Sequence, residues 1–141
     1  MINKLAPGVE VVYDKDNTVP ICHIIRAAYS PGTTEFFTPG SYSQQLGIIK
    51  YAKDGYIKPH FHNKVVREVH YTQEVLVIRK GKVKVNLFDH ELKPIDHVIL
   101  NAGDVILLAS GGHGFEMLED SEMLEVKQGP YNGVAADKTH F

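Results

Sequence analysis

The feature that most constrains the fold is the strict alternation of polar and apolar side chains from Lys82 to Leu87, within the run Lys82–Phe88. Successive side chains of a β-strand point to opposite faces, so this pattern predicts a strand with one buried face. A second apolar run, Glu74–Arg79, ends at the turn dipeptide formed by Lys80 and Gly81. The two runs therefore predict neighbouring strands joined by a turn.

Short apolar runs of this kind recur along the whole chain, and turn residues separate them. The 141 residues include 12 glycines and 7 prolines, and no long stretch repeats apolar residues at the helical spacing i, i+3, i+4, i+7. This pattern is typical of a β-sandwich or a small barrel, so we expect an all-β chain with little or no helix. The further predicted strands are Val9–Tyr13, Ile21–Arg26, Leu46–Tyr51, Ile57–His62, His97–Leu100, Val105–Leu108, His113–Leu118 and Met123–Lys127.

Composition and charge restrict the class of protein. A chain of this length suits one domain, and its net charge of −2 gives no electrostatic reason to expect nucleic acid. The first residues contain no apolar core of a signal peptide, and the longest apolar run, Val105–Ala109, is too short to cross a bilayer. We therefore expect a cytoplasmic protein with no membrane partner. The lone Cys22 rules out a disulfide within the chain and is predicted to be a buried strand residue.

Two histidines one residue apart, His60 and His62, are the clearest functional signal. On a strand, residues i and i+2 share a face, so the two imidazoles would lie side by side. Such a pair suits either a divalent transition metal or acid–base work on a small substrate. Glu74 and His113 lie on later predicted strands, and inward-facing residues of neighbouring strands converge near one end of a barrel. These four residues therefore form the candidate site.

The chain resembles the cupin superfamily of small β-barrels over about residues 45–127. The two motifs that carry the resemblance consist of Gly55, His60, His62, Glu74 and Gly81, and then of Gly103, Asp104, Gly111 and His113. The resemblance implies a cupin-type double-stranded β-helix, or jelly-roll, barrel formed by one domain spanning residues 1–141. It also implies a homodimer, in which strands within residues 9–26 extend a neighbour's sheet, and a C-terminal tail at 128–141.

By the same resemblance, His60, His62, Glu74 and His113 would bind one divalent transition metal, namely Fe, Mn, Ni, Co or Zn, with no organic cofactor. The chain departs from the family in one important spacing. Eleven residues separate His62 from Glu74, which is more than the family usually has. We interpret Val65–Tyr71, within this insertion, as an extended hairpin.

The longer spacing leaves two candidates for the carboxylate ligand. Glu68 fits the usual spacing from His62 better, but Glu74 is followed by Gly81 at the family's spacing, so Glu74 is preferred. Glu74 is also a candidate catalytic base. The remaining candidates are His70 as an acid or base, and Lys58, Tyr51, Phe115 and Met117 as substrate-binding residues. Surface or loop positions are expected for His23, His90, His97 and His140.

Three functions remain open on the sequence alone. The first is a metal-dependent enzyme acting on a small molecule, in which the metal serves as a Lewis acid or activates oxygen. The second is a metal-free sugar-nucleotide isomerase or epimerase that uses paired histidines as general acid and base. The third is a cupin that binds a small ligand without catalysis. Because one fold hosts many activities, the resemblance does not choose between them.

Overall fold

The computed structural model describes residues 2–141 and shows a chain built almost entirely from β-strands. The strands are β1 (Ile2–Ala6), β2 (Val9–Tyr13), β3 (Pro20–Ile25), β4 (Glu35–Phe36), β5 (Gly47–Ile48), β6 (Glu74–Lys80), β7 (Lys82–Phe88), β8 (Pro94–Asn101), β9 (Val105–Leu108), β10 (Gly112–Met117) and β11 (Glu122–Lys127). One helix in this range, α1, covers Val134–Asp137. The predicted all-β class is therefore confirmed. No helix in the described part of the chain is long and apolar enough to cross a membrane.

These elements belong to two compact units. The first, called here the sandwich unit, consists of residues 2–29 and 72–141, and the second, the loop unit, is Ser30–Tyr71. In the sandwich unit, six antiparallel strands form one sheet in the order β1-β2-β3-β9-β6-β11, and three form another in the order β10-β7-β8. Within residues 2–141, β11 and β10 are therefore open edges of these two sheets.

The two sheets share one hydrophobic core. Every second residue of β7 is fully buried, as the alternation predicted. His113, Phe115 and Met117 of β10 lie directly opposite those buried residues, and directly opposed residues of an antiparallel pair share a face. These three side chains therefore lie on the same face of the sheet as the buried residues of β7. The other core residues are Val12, Ile21, Cys22, Ile24, Leu76, Ile78, Val98, Leu100, Ile106 and Leu108.

Strand β3 lies between β2 and β9 and is buried on both of its faces. Its apolar run is therefore nearly continuous rather than alternating, as expected for a central strand. Cys22 is buried, as predicted. The prediction that His23 lies at the surface or in a loop was wrong, since the residue lies within β3, pairs with Val11 on β2 and Leu107 on β9, and is only 4% exposed. Burial lowers the pKa of His23.

A network of charged side chains, called here the plug, lies at one end of the sandwich unit and consists of the buried Glu10 and Asp104 and the partly buried Arg26. Arg26 Nη2 donates to Glu10 Oε2 at 2.8 Å, and Arg26 Nη1 donates to Asp104 Oδ2 at 3.0 Å. Asp104 also accepts hydrogen bonds from the backbone N–H groups of Ala27 at 2.8 Å and Asn101 at 3.0 Å. The buried carboxylate of Asp104 is thus matched by three donors, as a buried charge requires.

The Gly-Asp pair of the second motif builds the turn that carries the plug. Gly103 has a φ of 89°, which favours glycine, and its N–H donates to the Ile78 carbonyl at 2.7 Å. In return, the Ile78 N–H donates to the Asp104 carbonyl at 3.0 Å. Glu74, at the other end of β6, pairs with Leu108 at the far end of β9. Glu74 and the plug therefore lie at opposite ends of the sandwich.

The loop unit contains little regular structure. Its two short strands, β4 and β5, pair with each other in antiparallel fashion. Lys50 Nζ donates to Ser30 Oγ at 2.9 Å and to the Pro31 carbonyl at 2.6 Å. These hydrogen bonds connect the residues that precede β4 with those that follow β5. The predicted strand Leu46–Tyr51 is therefore mostly wrong, because only β5 remains of it.

Two further predictions in the loop unit were wrong. Residues 49–73 contain no strand, so neither the strand Ile57–His62 nor the hairpin Val65–Tyr71 forms. A strand requires a neighbour that completes its backbone hydrogen bonds, and neither segment has one within residues 2–141. Pro59 also lacks the N–H that such a ladder uses. Every residue from 51 to 71 is exposed.

Candidate functional site

The end of the sandwich unit opposite the plug, called here the mouth, contains a buried carboxylate. Along β6, Glu74, Leu76 and Ile78 are buried and alternate with less buried residues, so Glu74 continues the inward-facing row. Its side chain is only 10% exposed, and its Oε2 lies 3.1 Å from Nε2 of His113 on β10. The two strands belong to different sheets, so this contact joins the sheets across the mouth.

Electrostatics keep Glu74 ionised. The hydrogen bond from His113 lowers the pKa of the Glu74 carboxyl; burial opposes this effect, and the charges of His113, Lys138 and Lys127 reinforce it. Lys127 Nζ and Lys138 Nζ each lie 4.0 Å from Glu74 Oε1. Because a carboxylate only accepts hydrogen bonds, the proton in the Glu74–His113 contact is carried by His113 Nε2.

The C-terminal segment lies against the mouth of its own sandwich unit. Asp137 Oδ2 of α1 lies 3.5 Å from Lys127 Nζ, which forms an ion pair beside the one between Lys138 and Glu74. Further along, the ring of Phe141 packs edge-on against Phe88 with ring centres 5.1 Å apart. The predicted tail thus contributes charged groups to the site.

Two of the predicted substrate-binding residues accompany His113 on the inner face of β10. Phe115 is partly buried against the core, and its ring centre lies 5.4 Å from that of His113. Met117, two residues further from the mouth, is 50% exposed. Phe115 therefore provides an apolar wall next to the imidazole, and Met117 continues that face towards solvent.

His60 and His62 lie in the loop unit, close to each other but not on a strand. Their ring centres are 5.4 Å apart, and His60 Nδ1 lies 2.8 Å from the Lys58 carbonyl oxygen. A carbonyl only accepts, so Nδ1 carries the proton and Nε2 presents its lone pair. A ring nitrogen bonded to a carbonyl in this way is typical of histidines that bind metal through the other nitrogen. The predicted strand is absent, but the two imidazoles are adjacent.

The remaining predicted residues of the loop unit are exposed. Glu68 Oε2 lies 3.5 Å from Nε2 of His70, and both side chains are at least 77% exposed. Lys58 is exposed and contacts His60 through its backbone. Tyr51 lines an open groove with Gly32, Thr33, Thr34, Lys50 and Ala52. Of the two candidate carboxylates, Glu74 is therefore the one in a buried, polar setting.

The Glu74–His113 pair has a geometry that a metal ion can use. Two ligands bound at right angles to one ion at about 2.1 Å have donor atoms about 3.0 Å apart, close to the 3.1 Å observed here. Oxygen and nitrogen donors suit divalent transition metals. Among residues 2–141, no three histidine, cysteine, aspartate or glutamate side chains are grouped so as to hold a metal ion. The observed pair would supply two of the ligands that such an ion needs.

Sequence reasoning missed the two lysines beside Glu74. Lys127 ends a correctly predicted strand and lies directly opposite Glu74 in the pairing of β11 with β6. Lys127 and Met123 lie four residues apart on β11, so their side chains point to the same face, and Met123 packs against the core. The inward orientation of Lys127 could therefore have been predicted from the sequence. Lys138 lies outside any strand, and the pattern of the sequence offers no signal for it.

Comparisons with known proteins add no independent assignment of the site. No protein-family model matches the chain, and searches of curated proteins and of solved structures found no match. Function is therefore inferred from the geometry of the Glu74–His113 pair and its neighbours.

Proposed function

We propose that the protein is a cupin-type metalloenzyme that acts on a small molecule at the mouth of a jelly-roll barrel. The observation that carries the proposal is the contact between Glu74 and His113, two predicted ligands that lie 3.1 Å apart at the open end of a β-sandwich. They would hold one divalent transition metal, Fe, Mn, Ni, Co or Zn, through oxygen and nitrogen donors. Such a metal supplies a Lewis acid or an oxygen-activating centre.

The residues around this pair have distinct roles in the proposal. Glu74 offers a full negative charge that compensates the charge of the metal, because its carboxyl is held ionised. Phe115 keeps water from one side of His113, and a drier site strengthens every electrostatic interaction within it. Lys127 and Lys138 balance Glu74 when no metal is bound and can turn towards an anionic group of a substrate.

His60 and His62 complete the proposed ligand set. Support for them comes from the adjacent rings and from the orientation of His60, whose Nε2 presents a lone pair. Three imidazoles and one carboxylate would leave one or two positions for water or substrate on a metal of this kind. The carboxylate assigned to this set is Glu74 rather than the exposed Glu68.

Elemental analysis of protein purified without chelator tests the proposal. We expect about one equivalent of a divalent transition metal per chain, and loss of most of it in Glu74→Ala and in His113→Ala. His90→Ala is the matched control, since His90 is an exposed histidine that the proposal does not use. If the metal content is far below one equivalent, or is the same in all three variants, the proposal is wrong.

One observation also favours a metal-free function. A carboxylate bonded to one nitrogen of an imidazole fixes its tautomer and raises the basicity of the other nitrogen, as general acid–base catalysis requires. The Glu74–His113 pair has this arrangement, so a sugar-nucleotide isomerase or epimerase is the second candidate. Turnover of a nucleotide-linked keto sugar that survives exhaustive chelation, and is lost in His113→Ala, would favour it. Loss of that turnover on chelation would exclude it.

A further inference from the structure

The chain that follows β11, residues 128–141, runs across the mouth of the sandwich unit and is called here the strap. It leaves β11 at Lys127, which pairs with Glu74 in the six-stranded sheet. Its last residue, Phe141, packs edge-on against Phe88 at the end of β7, in the three-stranded sheet, with ring centres 5.1 Å apart. The strap therefore bridges the two sheets at the mouth.

The middle of the strap lies against the buried carboxylate of the mouth. Lys138 Nζ is 4.0 Å from Glu74 Oε1, while the other oxygen of that carboxylate lies 3.1 Å from His113 Nε2. The neighbouring Asp137, whose side chain is only 17% exposed, forms an ion pair with Lys127 at 3.5 Å. The strap thus places an ammonium group beside the oxygen of Glu74 that His113 does not contact.

The end of the strap occupies a space that a glycine leaves free. Gly112 is the first residue of β10, precedes His113 and pairs with Phe88. A Cβ atom at position 112 would lie 2.8 Å from Cζ of Phe141. Carbon atoms in contact are about 3.5 Å or more apart, so any larger residue at 112 would displace the ring. The strap therefore flanks the Glu74–His113 pair on two sides.

The strap is held less firmly than the strands. None of its residues is buried, its helix α1 has only four residues, and neither sheet of the described chain, residues 2–141, includes a strand from it. Exposed ion pairs contribute little to stability, and segments with few buried contacts open locally without unfolding of the core. Gly133, directly before α1, has a φ of 95°, and a Cβ there would meet open space. Glycine turns easily at such a position, which suits a hinge.

We propose that the strap is a lid on the mouth, which opens to admit a ligand to the Glu74–His113 pair. In the closed state described above, Lys138 lies beside Glu74 and Phe141 rests on Phe88. Lys138 is the group that a ligand of Glu74 Oε1 must displace, because its ammonium lies beside that oxygen. The lid acts in the same way whether the pair binds a metal ion or transfers a proton.

The rate at which diethylpyrocarbonate modifies His113, followed by mass spectrometry of the peptides, tests the lid. Phe141→Ala removes the contact of the strap with Phe88. The rate at His113 should rise about threefold, a factor that the loss of one edge-on aromatic contact can supply. His90 is an exposed histidine of the same molecules and serves as the internal standard, with an unchanged rate. An unchanged rate at His113 would overturn the inference.

Lys138→Met removes the second contact and should also speed the modification of His113. Loss of the cation by itself would favour the protonated imidazole, which reacts slowly, so a faster reaction reports opening of the strap. Lys80→Met is the matched control, since Lys80 is an exposed lysine at the opposite end of β6, and it should leave the rate unchanged. If Lys138→Met slows the reaction or has no effect, Lys138 does not hold the lid closed.

Hydrogen exchange separates opening of the strap from general destabilisation. In Phe141→Ala, amides of residues 134–138 should exchange faster than in the wild type, while those of β7, which lie in the core, should not change. Equal acceleration in β7 and in the strap would contradict the inference. Neither measurement involves a metal ion, so the lid can fail while the proposed function stands, and a negative result of the metal analysis leaves the lid in place.

Discussion

Removing the carboxylate of Asp104 tests the role of the plug. In Asp104→Ala, the backbone N–H groups of Ala27 and Asn101 lose their acceptor. Both residues are exposed, so water reaches these groups, and we expect a loss of about 1 kcal/mol for each. Arg26 loses one of two carboxylates but keeps Glu10, and its side chain is 26% exposed, so this loss adds about 1 kcal/mol.

The free energy of unfolding should therefore fall by about 3 kcal/mol, which lowers the melting temperature of a chain of this size by about 6–12 °C. Asp104→Asn keeps the shape and one acceptor, so its loss should be smaller. The measurements are urea unfolding and thermal melting followed by circular dichroism. Asp120→Ala, at an exposed position, is the control and should change stability by less than about 0.5 kcal/mol. A loss below about 1 kcal/mol in Asp104→Ala would refute the reasoning.

Two further predictions concern the buried central strand. Burial lowers the pKa of His23, so the unfolded chain binds a proton more readily than the folded protein, and stability should fall as the pH drops below about 6.5. His23→Gln should show a shallower loss of stability in urea unfolding at acid pH; an unchanged slope would contradict this. Burial also raises the pKa of the Cys22 thiol to about 12, so Ellman's reagent should label it only in unfolded protein. Rapid labelling of the folded protein would show that β3 is more accessible than described.

Strands with one buried and one less buried face were predictable from the sequence. The strand predicted at Lys82–Phe88 has those bounds in the structure, because its inner residues pack against the core while three of its four outer residues are polar. Val105–Leu108 was predictable for a different reason, since it is a continuous apolar run, buried from Ile106 to Leu108, and Gly103 and Asp104 mark the turn before it. In both cases the local residue pattern predicts the same strand that long-range contacts with the core stabilise.

Predictions failed where a strand depended on a partner that the local pattern does not specify. The residues of Ile57–His62 alternate as a strand would, but no neighbouring strand pairs with them within residues 2–141. Strand β1 was missed for the converse reason, since it is a mostly exposed edge strand held by its pairing with β2. Propensity for a strand is weak compared with the contribution of its neighbours.

The candidate site was predictable in part. Glu74 and His113 were predicted as ligands from their motifs, and the structure brings them into contact across two sheets. The metal itself and the roles of His60 and His62 remain predictions. Lys127 and Lys138 were not predicted, because a charged residue on the inner face of an edge strand, or in an irregular tail, resembles an ordinary surface residue in the sequence.

The position of the plug has a consequence for how this protein tolerates amino-acid substitutions. Strand β6 runs from the mouth at Glu74 to the turn that contains Asp104 of the plug, so one strand joins the two ends of the sandwich unit. Substitutions at Glu10, Arg26 or Asp104 should reduce the amount of folded protein in a cell, while the molecules that fold keep their chemistry. Under the proposed function, substitutions at the mouth should instead alter what is bound there. New specificities should therefore arise at the mouth, and the stability margin set by the plug limits how many destabilising changes can accumulate there.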